Sequence, residues 1–186
     1  MVDRPGPRDA RRNLNRFELR PTAAGGFIAV EGALTRRLEA LATEASRHAV
    51  ILSLDDGSNY FTQTLVDRHC GALVEAASNE FIITGHELGD EQHRLREVFG
   101  FDPPDRDWPN HFQGLPPPTD WRHVAALLVR PLDAVYGATP DSTVVVEVVE
   151  VSRPVPPTNR RTCRSAPAPP VGTVPRRLRL PSAWPR

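Results

Sequence analysis

Hydrophobic and polar positions follow two periods along this chain, and the switches between them mark its elements. Val30, Leu34, Leu38, Leu41 and Ala45 recur at helical spacing while Arg36, Arg37, Glu39 and Glu44 take the opposite side, which predicts a first amphipathic helix. From Ala49 the period shortens. The runs Ala49–Leu54 and Tyr60–Val66 flank Asp55-Asp56-Gly57-Ser58-Asn59, and Asp-Gly between two apolar runs predicts a hairpin. Asp67 to Gly71 makes another turn, into a strand over Ala72–Ala77 that the polar Ser78-Asn79-Glu80 closes. Three strands therefore follow one another as a meander.

A second helix is bounded at both ends. Asp90 is a suitable N-cap, Glu91 suits the positive helix end, and Leu95, Val98 and Phe99 share one side. Gly100 supplies a left-handed C-cap and Pro103-Pro104 prevent a restart. Asp102 to Pro118 then reads as a proline-rich crossing anchored by Trp108 and Phe112, after which Thr119 caps a third helix from Asp120 to Tyr136. Along it Trp121, Val124, Leu128, Leu132, Val135 and Tyr136 form an apolar stripe, with Pro131 removing one backbone bond and Gly137 ending it. Thr143–Val151 closes the pattern as a strand with valines on both faces, which belongs inside a sheet or at an interface.

The predicted order is helix, three strands, helix, helix, strand. That is an α+β class, a mostly antiparallel sheet with helices packed on one face. At 186 residues the chain suits one domain, assigned to 26–152, with extensions. Residues 1–25 carry three prolines and little apolar periodicity and read as a flexible basic arm; 153–186 reads as a disordered Pro/Arg-rich tail.

Charge adds one point to this picture. The formal net charge is zero, yet eight arginines and no acidic residue follow Ser152, so the neutral total combines an acidic middle with basic ends. No stretch reaches membrane-spanning length and no apolar segment follows the charged N-terminus, so the expected location is the cytoplasm, without a membrane partner. Cys70 and Cys163 are too few for a disulfide framework or a zinc ribbon.

The stretch Glu75 to Pro104, with Leu127 to Gly137 downstream, resembles the Tir-chaperone and YbjN-like domains of actinobacteria, the TY-Chap domains, which are also similar to type III secretion chaperones. The resemblance rests on the Tyr60-Phe61-Thr62-Gln63 strand, the Glu75-Ala76-Ala77-Ser78-Asn79-Glu80-Phe81 strand end, the Leu88 to Pro104 helix with its double-proline exit, and Val135-Tyr136-Gly137. It covers roughly Gly26 to Val151. Domains of this kind carry a further strand between the last two helices; here Asp102 to Gln113 occupies that place and is too proline-rich for a regular central strand.

Complete catalytic patterns are missing. His86-Glu87-Leu88-Gly89-Asp90 lacks the second histidine of a zinc-protease helix, and Asp55 to Asn59 lacks the closing glutamate of a calcium loop. There is no Gly-x-Ser-x-Gly elbow, and with no lysine in the chain a P-loop is excluded. His69 and Cys70 are neighbours on an extended stretch and point to opposite faces, so Cys70 reads as a small residue at a turn-to-strand junction. No catalytic residue, metal or cofactor is expected. The arginine tail could attract nucleic acid through phosphates alone, but without aromatics before Trp184 specific binding is not expected.

The resemblance implies a non-enzymatic domain that holds an extended segment of a client protein against a sheet face and strand edge. The contact candidates are Tyr60, Phe61, Gln63 and Leu65 on the second strand and Val144, Val146 and Val148 on the last. The alternative is a structural or regulatory module whose last strand mediates homodimerisation or docking.

Overall fold

A computed structural model describes residues 11–21, 26–106 and 108–151. The chain forms β1 (Arg11–Leu19), α1 (Gly26–Thr43), β2 (Arg47–Leu54), β3 (Phe61–Asp67), β4 (Gly71–Ala76), α2 (Glu91–Glu97), β5 (His111–Leu115), α3 (Trp121–Ala134) and β6 (Val144–Val151). The six strands make one sheet in the order β1-β6-β2-β3-β4-β5, every neighbouring pair antiparallel. The α+β class and the meander stand as expected. The hairpin turns where Asp-Gly predicts, with Gly57 and Asn59 at positive φ of 80° and 62°.

Helices α1 and α3 pack against each other and over one face of the sheet. Leu34, Leu38 and Leu41 of α1 and Val124, Leu128 and Leu132 of α3 are fully buried against Val50, Leu52, Val74, Val146 and Val148, each large side chain contributing about 1.5–3 kcal/mol. The two threonines inside this layer have partners: Thr62 Oγ1 donates to the Leu128 carbonyl at 2.7 Å and Thr64 Oγ1 to the Leu73 carbonyl at 3.0 Å. Across the exposed side of the helix pair, the Arg130 guanidinium spans both carboxylate oxygens of Glu31 at 3.0 and 3.2 Å.

Four local expectations change. Arg11–Leu19 lies within the stretch read as an arm, yet it is a full edge strand paired with β6, with a bulge between Asn13 and Asn15. Its own apolar content is slight; the ladder to β6 satisfies its backbone, and Phe17 and Leu19 pack on the core. The proline-rich crossing also contains a strand. β5 begins only after Pro109 and lies at the other sheet edge, the location that tolerates nearby prolines.

The helix caps differ from expectation in detail. Asp120, not Thr119, caps α3, its carboxylate accepting from the amides of Arg122 and His123. Asp90 holds the N-cap position of α2 but makes no side-chain cap bond; Glu91 instead accepts from the Gly89 amide and the Gln92 amide group donates to the Leu88 carbonyl. Both helices end at a left-handed glycine, Gly100 and Gly137, as expected. The tail after Ser152 lies outside the described residues.

Candidate functional site

Antiparallel partners directly opposite each other share a sheet face, so the register sorts every strand residue. Val144, Val146 and Val148 align with Leu54, Leu52 and Val50 of β2, on the helix-covered face. Their neighbours Val145, Glu147 and Val149 align with Ser53, Ile51 and Ala49 on the other face. The helices with the most extensive sheet contacts, α1 and α3, cover the first face; on the second, Ala49, Gln63, Val145 and Glu147 are buried at 2%, 6%, 4% and 4% exposure, while Ile51, Phe61, Leu65 and Leu73 are half-buried.

The open face is built in rows that run across the strands. One row sets Val145, Ser53 and Phe61 side by side. At its end the Phe81 ring, from the loop after β4, meets Phe61 edge-on at a centroid distance of 6.4 Å. Another row joins Val149, Ala49, Leu65, Leu73 and Gly114. Between them lies a polar row, Arg16, Glu147, Ile51, Gln63, Glu75 and Phe112, that crosses all six strands. Trp108 packs on Phe112 with ring centroids 5.6 Å apart and extends the apolar border at the β5 edge.

The polar row is held from both ends. Gln63 Nε2 donates to Glu75 Oε2 at 2.6 Å, and Asn110 Nδ2 donates to the same oxygen at 3.1 Å. Asn110 is in turn tied to the chain after β4, its Oδ1 accepting from the Ser78 amide. At the other end Glu147 faces Arg16 at 3.5 Å. Glu147 is 4% exposed, and burial pushes its carboxyl above the ordinary glutamate range while the Arg16 charge pulls the other way. At the open corner of the face Arg47 pairs with Asp67. The Asp67 carboxyl feels burial upward, but amide bonds from His69 and Cys70 together with Arg47 hold it below the ordinary range.

Of the seven candidate contact residues, the fold brings three together on this face: Phe61, Gln63 and Leu65. Val144, Val146 and Val148 are 0% exposed beneath the helices and serve as core; on the other side of their strand Val145 and Glu147 are also buried, at 4% exposure each, and Val149 is half-buried. Tyr60 precedes β3 and turns the other way. Its ring stacks on Tyr136 at 4.9 Å and its hydroxyl donates to the His86 carbonyl at 2.7 Å. β6 is paired on both edges, so it offers no free backbone edge to a second copy.

Glu75, Glu147, Phe112 and Trp108 are parts of the face that sequence reasoning missed. Their signal was present in the alternation: Glu147 interrupts a valine run and Glu75 sits inside an apolar one. The remaining motifs fall outside the face. His86 to Asp90 forms a loop ahead of α2 rather than a helical turn, and Cys70 lies in the turn immediately before β4. The Asp56 carboxylate is taken up by the amide and hydroxyl of Ser58 within the hairpin. No helix among the described residues is long and apolar enough to cross a membrane.

A family model described as T3SS (YopN, CesT) and YbjN peptide-binding chaperone 3, TY-Chap3, matches residues 29–150. No curated protein and no solved structure matches the chain.

Proposed function

The chain belongs to the TY-Chap3 family of peptide-binding chaperones, and from that premise we propose that its open sheet face holds an extended segment of a client protein without catalysing a reaction. The observation that carries this reading is the asymmetry of the sheet. One face is sealed by α1 and α3, while the other leaves Phe61, Leu65, Ile51, Leu73 and Phe112 only half-buried. Half-buried apolar side chains gathered on a sheet face that α1 and α3 leave uncovered offer a surface to a partner. An extended segment suits it because alternate side chains of the segment can enter the spaces between rows while the others face water. Phe61, Gln63 and Leu65 are the contacts to test, now joined by the half-buried Ile51, Leu73 and Glu75. We place this activity in the cytoplasm.

The test begins with random 12-residue peptides displayed on phage and selected on the immobilised full chain. The most enriched peptide is synthesised with a fluorophore and its affinity is read by anisotropy. Leu65→Asp, which puts a charge into an apolar row, should weaken binding by about tenfold or more, about 1.4 kcal/mol. Ile28→Asp, on the exposed side of α1 where Ile28 is 81% exposed, should leave it unchanged. The reverse pattern would move the site to the helix layer and overturn the assignment.

A further inference from the structure

The polar row in the centre of the open face is more than a gap between apolar rows. Glu147 is 4% exposed and accepts no hydrogen bond among the described residues, its carboxylate oxygens keeping a small contact with solvent. Its one ionic partner among the described residues is Arg16, on the edge strand, whose side chain is 62% exposed. Glu75 receives two donors, but both are neutral amides and both go to Oε2. The row thus carries two carboxylates and one guanidinium, and the one guanidinium is the most exposed of the three groups' attachments. A buried carboxylate without strong donors is costly to keep charged. An apolar face with no further role would be better filled by an aliphatic residue at both positions.

We propose that this row is a specificity element that selects an arginine from the segment bound on the face, flanked by apolar residues that enter the rows on either side. The inference rests on the peptide-binding reading above and names the chemistry that reading leaves open. Glu147 and Glu75 are three strand spacings apart, about 14 Å, with Ile51 and Gln63 between them. A guanidinium lying over Ile51 reaches the Glu147 carboxylate, supplies the paired donors it lacks and keeps its flat face on an apolar side chain. Arginine suits this better than lysine, because its fork matches a carboxylate and its charge is more weakly hydrated. Charge complementarity thereby commits the face to a cationic, apolar-flanked segment of another protein rather than to a second copy of this chain. A second copy would bring the same excess of carboxylates, two to a single Arg16 guanidinium that already faces its own Glu147.

The selected peptides test the idea directly. We expect the enriched sequences to share an arginine with apolar neighbours. A synthetic copy carrying citrulline, the uncharged isostere, should bind the full chain about tenfold more weakly or worse. In Glu147→Gln or Glu75→Gln, which keep the shape of the row, the arginine-to-citrulline ratio should fall toward one in at least one of the two. Enriched peptides without a cation, or an unchanged ratio in both variants, would overturn the proposal while leaving peptide binding intact. Recovery of no peptide, because the face is taken by a second copy or by residues after 151, would overturn both.

Discussion

Val146→Ala and Leu65→Ala are both losses of aliphatic bulk in the sheet, and the fold predicts opposite outcomes for them. Val146 is 0% exposed, aligned with Leu52 and Phe17 under the helices. Removing two buried methyl groups forfeits about 1.6 kcal/mol of transfer free energy. If the surrounding layer does not collapse, a residual cavity of about 50 Å³ adds about 1.2 kcal/mol. The expected loss is therefore about 2–3 kcal/mol. In urea, with a slope of about 2 kcal/mol/M for a domain of this size, the midpoint should drop by about 1–1.5 M at unchanged slope. Leu65 lies on the open face and is half-buried, so Leu65→Ala should cost under about 1 kcal/mol while weakening peptide binding. The opposite outcome, a tolerated Val146→Ala beside a strongly destabilising Leu65→Ala, would contradict this assignment of faces. Because side chains alternate, that result would mean every strand residue had been assigned to the wrong face.

Three further outcomes follow from single positions. Gly71 has φ of +87°, and a Cβ there would lie 2.1 Å from the Leu115 carbonyl oxygen; Gly71→Ala should lower stability by about 2 kcal/mol or more, with faster amide exchange along β5. His111 is buried with neither ring nitrogen hydrogen-bonded among the described residues, and burial holds its pKa below the ordinary histidine range. The unfolded chain then binds the extra proton first, so stability should fall as pH drops below about 6.5, and His111→Phe should flatten that limb of a pH–stability curve. Asp67 is depressed in the folded chain, so its contribution is complete above the unfolded carboxyl pKa of about 3.9 and disappears as pH falls further; Asp67→Asn should leave a shallower acid limb in denaturation monitored by circular dichroism.

The sequence carried those parts of the fold that are written locally. Asp56-Gly57 placed the hairpin, Gly100 and Gly137 placed two helix ends, and the doubly apolar valine run placed β6 inside the sheet. It did not carry β1 or β5, because both depend on a distant partner. Arg11–Leu19 has few apolar residues of its own and becomes a strand through eight pairings with β6. β5 follows a proline-rich loop and is held by β4 and by the bridge from Asp102 to Phe112. The site was legible by halves for a related reason. β3 turns Phe61, Gln63 and Leu65 one way and Thr62, Thr64 and Val66 the other, so the period of two groups those three, while Tyr60, named with them, falls at the opposite parity. β6 has valine at both parities, and only its register with β2 decides that Val144, Val146 and Val148 face the helices while Val145, Glu147 and Val149 face outward.

Photo-crosslinking decides most directly whether the open sheet face is where a client segment lies. Gln63 in the centre of the face, or Ile28 on α1, is replaced by benzoylphenylalanine in the full chain, and each protein is irradiated with the selected peptide and analysed by mass spectrometry. Attachment of the peptide from position 63 and none from position 28 is the expected result. Attachment from position 28 alone, or attachment from position 63 only to a second copy of the chain, would contradict it.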